Sequence, residues 1–192
     1  MGDLRVIAGK AKGLRLKSVP GTGTRPITDR VKEALFNIIG GDIVSSNWLD
    51  LFAGTGAVGI EALSRGAAHV TFLDMSRLAI QTIRDNLAHT MFDKTAQVVQ
   101  TDSLLYLGRY PNHEFDYIYV APPQYKQIWE KSMRLLDEKP GWLIDDGWII
   151  VQIHPVEYER LDLLNFVEFD QRKYGSTLLV FFEKKILTEQ TG

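Results

Sequence analysis

An α/β fold built on a mainly parallel sheet is predicted by three features of the sequence. Between residues 46 and 153, short runs rich in apolar, β-branched and aromatic residues alternate with amphipathic helical stretches, the mark of successive βαβ units. Two further strand-like runs, 166–173 and 177–184, flank a Gly175–Ser176 turn and add a C-terminal antiparallel hairpin. A glycine-rich segment leaves the first strand of the alternating series and enters a helix, at the strand end where such sheets bind ligands.

The elements follow in order. LRVIA (4–8) and LRLKSV (14–19) read as short strands joined by GKAKG, an N-terminal β-hairpin, and PGTGT (20–24) reads as a loop. Thr28 is placed to cap the helix DRVKEALFNII, which carries Val31, Leu35, Ile38 and Ile39 on one face and stops at Gly40–Gly41. Strands are expected at 46–52, 69–74, 96–100, 116–120 and 147–153, and helices at 57–65, 76–89, 103–109 and 125–138. Residues 1–24 are read as a basic hairpin extension and 25–192 as one compact unit.

Composition removes several chemistries. The 192 residues include no cysteine, which excludes a disulfide scaffold, a thiolate metal site and a cysteine nucleophile. His69, His89, His113 and His154 show no metal-ligand spacing, so no metal is expected. No apolar run approaches the roughly 20 residues that span a bilayer, and MGDLRVIAGKAKG lacks the apolar core of a secretion signal. A cytoplasmic monomer without a membrane partner is the expectation. The net charge of −2 conceals an asymmetry. Residues 1–32 hold Arg5, Lys10, Lys12, Arg15, Lys17, Arg25, Arg30 and Lys32 against only Asp3 and Asp29, whereas the remaining 160 residues hold 14 basic and 22 acidic side chains. A basic segment on an acidic body suits a polyanion contact at one end, although a solvated face has the same composition.

The glycine segment is Leu49-Asp50-Leu51-Phe52-Ala53-Gly54-Thr55-Gly56-Ala57-Val58-Gly59. Gly54, Gly56 and Gly59 satisfy G-x-G-x-x-G, whose glycines permit a tight turn, close ligand approach and close helix packing. Nicotinamide, flavin and S-adenosylmethionine sites all use such loops, so the acids must choose between them. Asp50, four residues before the first glycine, would repel a pyrophosphate but suits a ligand bearing ammonium and sulfonium charges. Asp74 ends the next strand, where an acid grips ribose hydroxyls. Asp102, with Ser103, follows the third strand and can accept from an adenine amino group, or simply cap the helix SLLYLGR. Three acids at three consecutive strand ends fit S-adenosylmethionine better than NAD.

The loop DLFAGTGAVGIEALSRGA, the acid after HVTFLD, and the entry GKAKGLRLKSVPGTGTRPITDRVKEALFNI resemble the RsmD-like RNA methyltransferases over roughly residues 4–184. TRPITDRVKEALFN carries the most specific part of the resemblance. It implies a Rossmann-like S-adenosylmethionine-dependent methyltransferase fold: a seven-stranded, mainly parallel sheet with a C-terminal antiparallel hairpin, preceded by an N-terminal β-hairpin. It implies methylation of the exocyclic N2 of a guanine in small-subunit ribosomal RNA, with that RNA or a subunit assembly intermediate as partner. Arg25, Pro26 and Thr28 would lie beside the methionine end of the cofactor. Asp50, Phe52, Ala53, Gly54, Thr55, Gly56, Asp74, Met75, Ser76, Asp102 and Ser103 would complete its site.

One segment departs from that pattern. Amino methyltransferases of this type carry Asn or Asp, two prolines and an aromatic after the fourth strand, and this chain has Ala121-Pro122-Pro123-Gln124-Tyr125. Ala121 offers only its backbone carbonyl, which the two prolines keep out of helical bonding. Gln124 supplies a side-chain carbonyl, and Tyr125 suits stacking on an extruded base. Arg5, Lys10, Lys12, Arg15, Lys17, Arg30 and Lys32 would hold the RNA backbone. The alternatives are a non-catalytic cofactor- and RNA-binding homologue, a methyltransferase acting on another substrate or a small molecule, and a nicotinamide oxidoreductase sharing only the glycine loop.

Overall fold

The computed structural model describes residues 4–21, 27–124 and 127–185. Arg25, Pro26, Tyr125 and residues 22–24 of the PGTGT loop lie outside the described residues.

The first helix, α1 (Asp29–Ile39), begins where the hydroxyl of Thr28 accepts from the amide of Val31 and ends at Gly40, whose φ of +64° stops it. Val31, Leu35 and Ile39 bury the predicted stripe, joined by Phe36. Four βα units follow: β1 (Asn47–Asp50) and α2 (Ala57–Arg65), β2 (His69–Asp74) and α3 (Arg77–Thr90), β3 (Ala96–Gln100) and α4 (Ser103–Leu107), β4 (Phe115–Val120) and α5 (Ile128–Glu138), then β5 (Leu143–Ile153) leading to the hairpin β6 (Phe166–Tyr174) and β7 (Thr177–Lys184).

Among the described residues the strands form one seven-stranded sheet in the order β3-β2-β1-β4-β5-β7-β6. β1 to β5 pair in parallel, and β7 runs antiparallel to both β5 and β6. The chain moves outward from β1 to β3 and then returns to the other side of β1, so the order reverses between β1 and β4, the place where open α/β sheets leave a crevice.

Helices cover both faces, and the inner strands are accordingly apolar along their length. Alternate residues serve the two faces. Trp48, Tyr117, Tyr119, Ile150 and Phe181 pack with α1, α2, α3 and the N-terminal segment, while Leu49, Leu51, Ile118, Val120 and Val151 pack with Trp129, Met133 and Leu136 of α5. Gly59 makes the α2 packing possible: a Cβ there would lie 2.3 Å from the Phe72 ring. No helix among the described residues is long and apolar enough to cross a membrane.

Three expectations need adjustment. Residues 4–8 and 14–19 turn back antiparallel but form only the single bridge Arg5–Arg15 in place of two strands. Their edge groups are drawn to α2 instead: the amides of Ile7 and Ala8 donate to the Glu61 carboxylate, and that of Ala11 to the Ser64 hydroxyl. The fifth strand begins four residues early, at Leu143, because Asp145 and Asp146 sit on its exposed portion and mask the strand signal. The helix expected at 125–138 begins at Ile128, after Gln127 adopts a left-handed φ of +52°.

Candidate functional site

The carboxyl ends of β3, β2, β1 and β4 stand side by side, and each delivers a predicted site residue to the same edge of the sheet. Asp74 ends β2, Asp50 ends β1, Ala121 follows β4 and Asp102 follows β3 by two residues. The register sets Asp50 opposite Phe72 on one side and Tyr119 on the other.

The loop after β1 is shaped by its own bonds. Leu51 donates to the Tyr119 carbonyl and Ala53 to the Leu73 carbonyl, which ties the chain just past β1 to both neighbouring strands. Gly54 (φ +55°) and Gly56 (φ +76°) then take the left-handed conformations that β-carbons oppose. A Cβ at Gly54 would meet nothing within 4 Å, so the loop faces open space there.

Asp74 governs this turn. Its Oδ2 accepts from the Gly54 amide at 2.9 Å and its Oδ1 from the Ser76 amide at 2.8 Å. Each carboxylate oxygen keeps acceptor capacity for a ligand hydroxyl. Ser76 caps α3 through its side chain, and the neighbouring Met75 is 71% exposed, an apolar side chain beside the acid.

Asp50 is different in kind. It is 2% exposed, and its Oδ1 has no hydrogen-bond partner. Burial, reinforced by the negative charge of Asp74, pushes its carboxyl up to about 7, against the pull of the Gly59 and Phe52 amides. A buried carboxylate oxygen with no partner is costly unless a ligand supplies a donor or a positive charge. The donor set thus fits a ligand with a cationic end over the glycine loop and hydroxyls at Asp74, as S-adenosylmethionine has.

At the third strand end, Asp102 caps α4, its Oδ1 accepting from Leu104 and Leu105 at 2.8 and 3.0 Å. Its Oδ2 has no partner among the described residues and remains available to a ligand. The Ser103 hydroxyl turns inward and donates to the Leu51 carbonyl, so this side chain seats α4 against β1. Phe52 is half-buried against the α5-side core, and Ala53 and Thr55 complete the loop. Ala121 is half-buried, followed by Pro122 and by Pro123 and Gln124 at the surface.

The basic residues divide. Lys10, Lys12, Arg15, Lys17 and Arg30 are exposed. Arg5 pairs with Asp29 at 2.8 Å and Lys17 with Asp85 at 2.9 Å, both in solvent. Lys32 does not belong with them. It is 0% exposed, its ammonium donates to the Arg5 carbonyl and it stands 3.5 Å from Glu61. A phosphate cannot reach it. Counting charges cannot separate a buried, paired lysine from a solvated one.

Sequence reasoning missed Asn86. It lies 1% exposed on α3, one turn beyond Ile83, with its amide group bonded to both Lys17 and Thr55. The available signal was an asparagine, a poor helix former, on a buried stripe between Ile83 and Leu87.

Comparison with known proteins agrees with this frame. The Bacillus subtilis protein YlbH is 40% identical over 185 residues, covering 95% of this chain and 100% of that protein. The Escherichia coli ribosomal RNA small subunit methyltransferase D is 38% identical over 151 residues, covering 79% of this chain and 75% of that protein. The solved structure of Escherichia coli yhhF superposes with a TM-score of 0.84 at 32% identity, covering 96% of this chain and 99% of the other. Residues 4–183 match the family model described as Conserved hypothetical protein 95, and the chain belongs to that family.

Proposed function

We propose that this protein transfers a methyl group from S-adenosylmethionine to the exocyclic N2 of a guanine in small-subunit ribosomal RNA. The observation that carries the cofactor half is the partnerless, buried Oδ1 of Asp50 beneath the glycine loop, which matches a cationic ligand and opposes a pyrophosphate. The substrate half is supported by the relative named ribosomal RNA small subunit methyltransferase D and by the exposed basic residues Lys10, Lys12, Arg15 and Lys17 on the N-terminal arm.

When bound, S-adenosylmethionine supplies an activated methyl group for in-line displacement. The chain's own residues must then bring a poor nucleophile to it. The guanine N2 lone pair is delocalised into the ring, and an acceptor on its N–H groups localises it and takes up the developing charge. Ala121 has no side chain for this, so the reading assigns the task to its backbone carbonyl, with Gln124 beside it and Tyr125 against the base. Pro122 cannot donate and disfavours a helical conformation at Ala121, which leaves that carbonyl free of a helical partner. Positioning contributes much of the rate in such transfers.

Transfer of labelled methyl to under-modified small ribosomal subunits, with identification of the modified nucleoside, tests the reading. N2-methylguanosine supports it. Label at another position replaces it with a methyltransferase of different specificity. Cofactor and RNA binding without transfer points to a non-catalytic homologue, the reading that Ala121 favours.

A further inference from the structure

Asn86 is bonded at once to the glycine loop and to the N-terminal arm. Its Nδ2 donates to the Thr55 carbonyl at 2.9 Å and to the Lys17 carbonyl at 3.1 Å, while its Oδ1 accepts from the Lys17 amide at 2.7 Å. Thr55 lies between the two left-handed glycines of the loop over Asp50. Lys17 lies on the N-terminal arm that carries Lys10, Lys12 and Arg15.

The orientation of the side-chain amide is fixed by chemistry: two carbonyls face one end and one N–H faces the other, so reversing it would set like groups together at all three contacts. Both Nδ2 hydrogens are engaged. Asn86 itself is 1% exposed, so a partner that moves away leaves a buried polar group with a bond unmade, which is costly. The same face of α3 supports the loop a second time, since a Cβ on Gly56 would touch Ile83 at 3.4 Å.

From this geometry we infer that Asn86 is a positioning residue that couples the glycine loop to the basic arm. The inference rests on the cofactor and RNA reading above. A ligand that orders Thr55 holds the Asn86 amide in place, and that amide holds Lys17. RNA seated on the arm acts back on the loop through the same bonds, and linkage makes the two effects equal.

The wild-type protein provides the first test. Amide hydrogen exchange at Lys17 is followed with and without saturating S-adenosylhomocysteine, alongside the affinity for immature small ribosomal subunits in both states. The expected result is slower exchange at Lys17 and binding to the particle tightened by about fivefold or more, the low end of typical coupling. In Asn86→Ala, S-adenosylhomocysteine should bind about tenfold more weakly, and Lys17 exchange and particle affinity should cease to respond to it. A side chain that served only to hold the helix together would lower the melting temperature and leave the response intact. Unaltered Lys17 exchange in a wild type that binds S-adenosylhomocysteine overturns the coupling alone. So does a folded Asn86→Ala that keeps the full response. A wild type that binds no S-adenosylhomocysteine overturns the function reading and the coupling with it. If Asn86→Ala does not fold, the wild-type exchange measurement decides.

Discussion

A carboxyl held near 7 and enclosed by protein makes Asp50 a proton-linked binding group. Its folded value lies above its ordinary value of 3.8. The folded state therefore holds the proton that the unfolded chain has released, and stability falls as pH rises from about 4 to about 7. A cationic ligand reverses the preference by stabilising the carboxylate. Binding of S-adenosylmethionine at pH 6 should therefore release a proton, and affinity should rise with pH up to about 7 and then level off. Calorimetry in buffers of different ionisation enthalpy measures the release, and Asp50→Asn should abolish it. At Asp74, two amides already depend on the carboxylate, so Asp74→Ala removes ligand acceptors and unpins the loop together. Cofactor affinity should fall about tenfold or more, each charged hydrogen bond being worth about 1.5–3 kcal/mol. Ala121→Asp is the opposite experiment. If the loop is otherwise like that of its relatives, the added acceptor should maintain or raise the rate of methyl transfer to small-subunit RNA. A large loss would mean a site rebuilt around a small residue, with Gln124→Ala then the damaging change.

The elements that were legible share a physical trait: their signals are local. Gly54, Gly56 and Gly59 marked the first βα turn because backbone conformation and close packing are properties of those residues themselves, and helix α2 falls on the expected residues 57–65. Thr28 as a cap is legible for the same reason. The antiparallel turn of the N-terminal arm was legible too, but its docking on α2 was not, because its amides are satisfied by Glu61 and Ser64, more than 50 residues away in sequence, and no local pattern reveals a distant acceptor. Asn86 and the burial of Lys32 were obscured in the same way. The arm's exposed charges still make a firm expectation. Neutralising Lys10, Lys12, Arg15 and Lys17 together should weaken RNA binding and lower its salt slope by about 0.7–0.9 for each phosphate that is no longer neutralised, with cofactor affinity maintained. Equal slopes for wild type and variant in a salt titration would reduce the arm to a solvated face. In α2, Gly59→Ala places a Cβ 2.3 Å from Phe72. The helix or the buried Phe72 and Val70 side chains must shift, at a cost of about 1–3 kcal/mol in urea unfolding.

Across the whole molecule, the arm, α1 and α2 meet at one buried carboxylate. Glu61, 0% exposed, accepts from the amides of Ile7 and Ala8 and from Arg65 at 2.8 Å, and faces the Lys32 ammonium at 3.5 Å. Burial pulls the Lys32 value down, and Glu61 opposes that pull most strongly among its neighbours. Four groups from three elements thus depend on Glu61, whereas Glu61 without Lys32 would keep Arg65 and two amides. The two ends of this ion pair should therefore be unequal. Glu61→Leu strands a buried ammonium and two amides, and should destabilise the fold by about 3–5 kcal/mol, the range for breaking a buried pair. Lys32→Met preserves the volume of the stem and removes a desolvated charge, leaving the Arg5 carbonyl as the principal orphan, with a cost nearer to about 1–3 kcal/mol. The arm should detach first in Glu61→Leu, so limited proteolysis should cut within residues 4–17 before it reaches the sheet. Urea unfolding of the two variants, read with that cleavage pattern, separates the cases: equal losses would mean that Lys32 holds the arm to the body as firmly as the carboxylate does.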